Sequence, residues 1–417
     1  MEFQIYTGES IAESLTAFGL PSAFIDKTIT CTTIKYHFNL ENITKLPKVK
    51  KVAELLSATC HEPIKVLSSQ IGHFCLEFTR KEEDRDYPNF MCWHKQLVNK
   101  PTGEILFGID DNGQPITRNI MKTKSILIAG SSGGGKSVLL SNIICSLACY
   151  SKPEELSMTL IDLKRCEFGM YRNLCHLNHE VITDYASALS MLNTIRQTID
   201  TRYIKMDEMG IKQATTNKFP IICVIIDEYA ELASRGNKQE LDNIVASIAA
   251  TGRACNVFLI IATQHAVGSI ISNVIKSNMQ TKIGLRTTNV AQSICAIGTR
   301  DCVDLLGYGD SFIHFDGQAE LKRVQVCNLT DNDIYEITSN CKPRVWNTLP
   351  TQNTTSPKTT PTSPKTSWLD KILKRVVSAP NKAQITRNLG ISALNSQVPY
   401  NIEEQNFYDC VEDEKEN

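Results

Sequence analysis

Gly130, four further residues, and then Gly135, Lys136 and Ser137 satisfy the pattern GxxxxGK[ST]. They stand in the stretch SILIAGSSGGGKSVLLSNIICSLA, residues 125–148. A short apolar run precedes the glycines and an amphipathic helical pattern follows. Strand, turn and helix in that order are the setting in which this motif binds phosphate. Glycine reaches backbone conformations that side chains forbid, so the N–H groups of Gly130, Ser131, Ser132, Gly133, Gly134 and Gly135 can wrap an anion. The helix that opens at Lys136 and runs on through Val138 directs its positive dipole end at the same place. Lys136 brings charge to terminal phosphates, and Ser137 offers a hydroxyl to a magnesium ion.

A second constellation lies downstream. FPIICVIIDEYAEL is an apolar strand ending in Asp227 and Glu228. Two carboxylates at the end of a buried strand are costly unless they hold a cation or do chemistry. Beside a phosphate loop, Asp227 is placed to hold magnesium, and Glu228 to orient and deprotonate the attacking water. The competing reading is a pair of acids capping the next helix. CNVFLIIATQ is another buried strand, ending in Thr263 and Gln264. Gln264 is positioned to sense the terminal phosphate or to orient water, with helix capping as the plain alternative. Arg253 stands just before that strand in ATGRACNV. It is either a surface arginine or one that reaches across a subunit interface to stabilise phosphoryl-transfer charge.

The elements that must carry these residues show in the apolar pattern. SILIAG, LSMTLIDL, IICVIIDE and VFLIIATQ are rich in Ile, Leu and Val and lack polar alternation. That is the mark of a parallel sheet covered on both faces. Helical stretches separate them, so a βαβ, α/β architecture is expected over residues 99–345. Residues 1–98 read as a small α+β domain. TTIKYHFNL alternates as a strand, and Val49, Val52, Leu55 and Leu56 recur at helical spacing. PIKVLSSQIGHFCLEF reads as two strands around a turn, and RKEEDRDYPNF as a solvated connector. Residues 346–367 are rich in Thr, Ser and Pro and read as a flexible linker. Residues 368–417 read as a tail, with a short basic amphipathic helix in WLDKILKRVV and an acidic end.

The 44 basic residues nearly balance the 45 acidic ones, so any basic surface must be a local patch. The 15 cysteines show no paired CxxC elements at zinc spacing, and the amino terminus, MEFQIYTGES, shows no secretory leader. The expectation is reduced thiols in a cytoplasmic protein. No apolar run approaches the roughly 18 residues of a membrane helix.

Taken in order, these segments resemble the FtsK/SpoIIIE family of ring-forming DNA translocases. The likeness runs through KSILIAGSSGGGKSVLLSNIICSLA, KPEELSMTLIDLKRCEFGMY with Asp162 and Lys164, FPIICVIIDEYAEL, IAATGRACNVFLIIATQ and LLGYGDSFI, and covers roughly residues 30–330. It implies a RecA-like P-loop NTPase core preceded by a small α+β domain. It implies that Lys136 and Ser137 bind ATP and Mg2+, that Asp227 and Glu228 serve hydrolysis, and that Gln264 is the sensor. Arg253 falls on the family's GRA arginine and would reach the next subunit's ATP. A homo-hexamer with double-stranded DNA in its pore is implied as well. The sequence departs from the family where ATQHAVGS replaces ATQRP, where NVAQSICAIGTRD replaces a DSR triplet, and where no clear winged-helix reader follows. Those departures fit a mobile-element, plasmid or phage relative.

The leading expectation is an ATP-driven duplex-DNA translocase whose pore touches phosphates through Lys164 and Arg165 or Arg235 and Lys238. A coupling ATPase of the conjugation or secretion type and an ATP-dependent DNA-binding replication factor stand as alternatives. The tail is the expected docking point for a protein partner. NKAQITRNLGISALNSQ, with Leu389, Gly390 and Ile391 at its turn, has a faint helix-turn-helix look.

Overall fold

The alternation seen in the sequence becomes two sheets. The computed structural model describes residues 7–70, 72–97 and 99–339. The proposed linker, the basic amphipathic segment, the helix-turn-helix stretch and the acidic end lie outside the described residues.

The first sheet is built from α1 (Gly8–Ala17), β1 (Ser22–Ile29), β2 (Thr33–Leu40), α2 (Val49–Cys60), β3 (Ile64–Gln70) and β4 (His73–Thr79). Its four strands run antiparallel in the order β1-β2-β4-β3. Tyr36, Phe38, Phe74, Leu76 and Phe78 turn inward and meet Ile11 and Leu15 of α1 and Val49, Val52 and Leu56 of α2. Leu55, which shares the helical spacing, is 46% exposed on the opposite flank. The alternation of β2 thus marks a half-buried sheet with one helical layer.

The second sheet follows. Its elements are α3 (Phe90–Gln96), β5 (Glu104–Asp110), β6 (Pro115–Asn119), α4 (Ile120–Thr123), β7 (Ile126–Ala129), α5 (Lys136–Cys149), β8 (Leu156–Ile161), α6 (Tyr185–Glu208) and β9 (Ile221–Ile226). After these come α7 (Tyr229–Ser234), α8 (Lys238–Thr251), β10 (Val257–Thr263), α9 (Asn273–Asn278), β11 (Thr281–Leu285), α10 (Val290–Ile297), β12 (Asp310–His314), β13 (Lys322–Gln325) and α11 (Asp331–Ser339). Nine strands lie in the order β6-β5-β13-β12-β11-β7-β10-β9-β8. β11, β7, β10, β9 and β8 pair in parallel, and the other four strands extend the sheet antiparallel. The four apolar runs of the sequence are β7 to β10, and their unbroken hydrophobicity is explained by cover on both faces. β7 and β10 are buried along their whole length. The antiparallel wing escaped the sequence reading because its strands carry charged and polar residues instead of an unbroken apolar run.

RKEEDRDYPNF is more than a solvated connector. Its Phe90 is fully buried in the core of the large sheet. Asn328 ties it down, donating its N–H to the Pro88 carbonyl at 2.7 Å and accepting from the Phe90 N–H at 3.0 Å. The two sheets are joined by a buried ion cluster. Arg323 on β13 makes paired hydrogen bonds to Glu77 on β4 (2.8 and 2.9 Å) and to Asp310 on β12 (3.0 and 2.9 Å). Glu77 and Asp310 are each 2% exposed. Burial works against the Arg323 charge, but Asp310 and Glu77 outweigh it and hold the guanidinium above the usual arginine range.

Candidate functional site

The phosphate loop leaves β7 at Gly130 and delivers the chain to α5 at Lys136. Gly135 has φ +99°, and a Cβ there would lie 2.3 Å from the backbone nitrogen of Gly309. Only glycine meets both demands. The loop is fixed from outside as well as by its own turn. Gly130 N–H donates to Thr263 O at 3.2 Å, and Ser131 N–H to Arg286 O at 2.8 Å. Tyr308 N–H donates to Gly133 O at 3.1 Å, and Gly309 N–H to Gly134 O at 2.9 Å.

Lys136 is 5% exposed and donates to both the carboxylate and, at 3.1 Å, the backbone carbonyl of Asp227. The Asp227 carboxyl sits above the usual carboxylate range, because burial outweighs the pull of Lys136 and the Glu167 and Asp162 carboxylates add to the rise. A desolvated acid beside a lysine is suited to a divalent cation, whose charge would reverse that penalty. Ser137 Oγ donates to Glu167 Oε1 at 2.7 Å. Glu167 is reached through a tight loop pinned by Asp162. The Asp162 carboxylate accepts from the N–H groups of Arg165, Glu167 and Phe168 at 2.8 to 3.0 Å.

Glu228 is 6% exposed. It accepts from Thr263 Oγ1 at 2.7 Å and from the Gln264 N–H at 3.2 and 3.0 Å. Lys164 Nζ lies 3.6 Å from its other oxygen. The ends of β9 and β10 are therefore stitched together, with the water-activating candidate aimed by a neighbouring strand. Glu228 is also the N-cap residue of α7, but its side chain makes no capping bond there.

Ser131, Ser132, Gly133, Gly135, Lys136, Ser137, Val138, Glu167 and Gln264 share one cavity of about 500 Å³, whereas Asp227 and Glu228 lie behind Lys136 and Gln264 and do not line it. That volume suits a nucleotide-sized ligand. The donor set fits both expected ligands: loop amides and Lys136 for phosphates, and the Ser137 hydroxyl for magnesium, with the Asp227 carboxylate directly behind Lys136.

Arg253 is not in this cavity. It precedes β10, exposed, with no side-chain hydrogen bond or ion pair among the described residues. Thr263 and Gln264 lie at the other end of that seven-residue strand, roughly 20 Å away at about 3.3 Å per residue. Three of the four basic residues expected to line a pore face acidic partners. Lys164 faces Glu228, Arg235 pairs with Glu231 at 2.5 Å, and Lys238 with Asp242 at 2.5 Å. Arg165 is exposed and holds φ +59°.

Sequence reasoning missed Glu167, Arg286, Tyr87 and Tyr308. Arg286 follows β11, and a Cβ built on Gly307 would come within 3.2 Å of its guanidinium carbon. A cation directly after the strand beside β7 was the available signal.

A parallel five-strand core in the order 11-7-10-9-8, with a glycine loop between its second strand and the next helix, defines a RecA-like P-loop NTPase. Residues 92–218 match the model of the FtsK/SpoIIIE family. The DNA translocase FtsK of Helicobacter pylori strain J99 is 32% identical over 243 residues, which are 56% of this chain and 29% of that protein. The DNA translocase FtsK of Staphylococcus aureus strain Mu50 is 32% identical over 250 residues, 56% and 32% respectively. The chain thus spans about a third of the length of the relatives it matches. Among solved structures, the pCW3 conjugation coupling protein TcpA shares the fold with a TM-score of 0.57 at 18% identity, over 79% of this chain and 98% of that one. The cytoplasmic domain of the Thermomonospora curvata type VII secretion ATPase EccC follows with 0.51 at 21% identity, over 61% and 34%.

Proposed function

We propose that this protein is a Mg2+-dependent ATPase that moves double-stranded DNA as a homo-hexameric ring in the cytoplasm, in the transfer or maintenance of a mobile element, plasmid or phage. One observation carries the reading: the residues for binding and water activation lie at one end of β10, and the candidate arginine lies at the other, out of reach of its own site. Such a site is completed by a neighbouring copy in head-to-tail contact, which forms a ring where the rotation between copies closes. The FtsK/SpoIIIE match, and relatives named as DNA translocases, support DNA as the substrate. The likeness to a conjugation coupling protein supports the mobile-element setting. Among the described residues no helix is long and apolar enough to cross a membrane.

In this mechanism the loop amides and Lys136 grip the phosphates, and Lys136 exchanges its Asp227 partner for the anion. Ser137, now bonded to Glu167, and Asp227, now paired with Lys136, would hold a magnesium ion, which would supply Lewis-acid charge to the phosphates. Glu228, held by Thr263 and the Gln264 N–H, orients and deprotonates water. Gln264 reports the change along β10, and Arg253 of one protomer stabilises charge in its neighbour's site. Phosphate contacts suit a motor that must run over any sequence.

Displacement of a triplex-forming strand from linear duplex tests the reading. Wild type should displace it with ATP and Glu228→Gln should not. Stimulation by a protein client with no response to duplex would instead favour a secretion-type ATPase. Slow turnover without displacement would favour a DNA-binding factor.

A further inference from the structure

A lysine stands at the carboxylate that is to activate water. Lys164 Nζ lies 3.6 Å from Glu228 Oε2, at ion-pair distance. We propose that Lys164 is an inhibitory clamp on Glu228, and that a phosphate of duplex DNA releases it. DNA draws the lysine outward, and the freed carboxylate oxygen then accepts the proton of the attacking water. The proposal rests on the ATPase and DNA reading above and names how that site is regulated.

The two oxygens of Glu228 are used differently. Oε1 accepts from Thr263 Oγ1 at 2.7 Å and from the Gln264 N–H at 3.2 Å. Oε2 shares that N–H, at 3.0 Å, and is the oxygen Lys164 faces. The neutral donors come from the end of β10 and aim the carboxylate. The ammonium adds nothing to the aim, since Oε1 and the shared N–H already fix it. A water that is to lose its proton must come within hydrogen-bond reach of a carboxylate oxygen. The least occupied one is Oε2, and there the ammonium, with three donors and no acceptor, competes with the water. Glu228 does not line the nucleotide cavity, so the clamped residue is out of reach of a bound nucleotide's water.

The partners differ in access. The Glu228 side chain is 3% exposed and that of Lys164 is 37% exposed. An anion from outside therefore reaches the lysine without opening the core. The lysine is also the mobile partner, a point charge on a flexible four-carbon stem. Its backbone is fixed. Asp162, 1% exposed, accepts from the N–H groups of Arg165, Glu167 and Phe168 and pins the loop on which Lys164 sits. The switch thus lies in one side chain, which points either at Glu228 or outward. An ion pair with one partner partly in water is weak enough to be exchanged for a phosphate. Duplex DNA presents such phosphates in a dense row.

Two measurements on the full chain test the clamp. In steady-state ATPase assays, Lys164→Met keeps the stem and removes the charge. It should raise turnover without DNA several-fold, toward the wild-type rate with duplex, and duplex should then add little. Lys164→Arg should keep turnover low without DNA and stay responsive to duplex. In fluorescence anisotropy with a labelled duplex and no nucleotide, Glu228→Gln removes the charge that competes for Lys164. It should tighten duplex binding about two- to fivefold, the range of a partly exposed ion pair written as a ratio. The same change in a Lys164→Met background should do nothing. Turnover of Lys164→Met at or below wild type without DNA overturns the clamp, since Lys164 is then a support for Glu228 or a DNA contact alone. Equal tightening by Glu228→Gln in both backgrounds, or none in either, also overturns it. Wild type that hydrolyses ATP with no response to duplex overturns DNA release of the clamp and leaves the ATPase reading standing. Wild type that hydrolyses no ATP with or without duplex overturns both.

Discussion

At the carboxyl end of β10, Glu228 is buried and held by Thr263 and Gln264, and Lys136 is buried against Asp227. At the amino end of the same strand, Arg253 lies exposed with no partner among the described residues. The first end is preorganised inside one chain, where a low dielectric makes each interaction stronger. The second is solvated and costs little to leave unpaired. The contrast teaches that burial marks what a protomer completes alone, and exposure marks what it would lend to another.

The sharpest way to break this comparison is to remove a charge from each end. Lys136→Ala should lose nucleotide binding and turnover together. Arg253→Ala should keep nucleotide binding and lose turnover on the order of 10³-fold, the scale of an arginine that stabilises phosphoryl transfer. Mixing the two variants in equal amounts should then restore about a quarter of wild-type ATPase, since that share of interfaces in a closed ring pairs an intact lysine with an intact arginine. Steady-state ATPase assays read all three. No recovery on mixing would mean that Arg253 acts within its own chain or not at all.

Glu228→Gln sharpens the buried end by itself. It should slow hydrolysis by roughly 10²- to 10⁴-fold, the usual contribution of a general base, and leave ATP affinity within about twofold. Single-turnover kinetics separates the two. Equal loss of binding would make Glu228 a structural clamp for β9 and β10.

What was legible in the sequence follows the same division. Gly135, Lys136, Ser137, Asp227 and Glu228 could be located because each demands a residue type next to an apolar strand. The parallel strands β7 to β10 were readable from unbroken apolar runs for the same reason. Tyr87, Glu167, Arg286 and Tyr308 were not. They reach the loop only through the fold, with Ser131 and Arg286 lying 155 residues apart. No local pattern encodes a partner at that separation. The pore candidates meet a competing contact. A run of basic residues suggested an anion contact, but helical spacing had already supplied Arg235 and Lys238 with acids four residues away.

Charge burial also separates two kinds of ion pair in energy. Arg323→Ala strands Asp310 without its cation and leaves Glu77 only Lys35, at 3.7 Å; both acids are 2% exposed. It should destabilise the chain by about 3–5 kcal/mol in urea unfolding. Replacing all three residues by apolar ones should cost far less, because the desolvation penalty leaves with the charges. A loss under about 1 kcal/mol for Arg323→Ala would show that water reaches the cluster.

The smallest effect belongs to Arg235, 44% exposed at its side chain and paired with Glu231 one helical turn away on α7. Such a pair gains little, since water screens it and two long side chains lose rotamer freedom. Arg235→Ala should change stability by only about 0.3–0.5 kcal/mol. Its use as a DNA contact would be visible elsewhere, in salt dependence. Each phosphate neutralised adds about 0.9 to the slope of log affinity against log salt for duplex DNA. If Arg235 leaves Glu231 for a phosphate, Arg235→Ala should lower that slope by about one per contact while stability barely moves. If slope and stability both stay put, the pair is only surface, and the cationic path for DNA must run through Lys164, through Arg165 or through residues supplied by another copy.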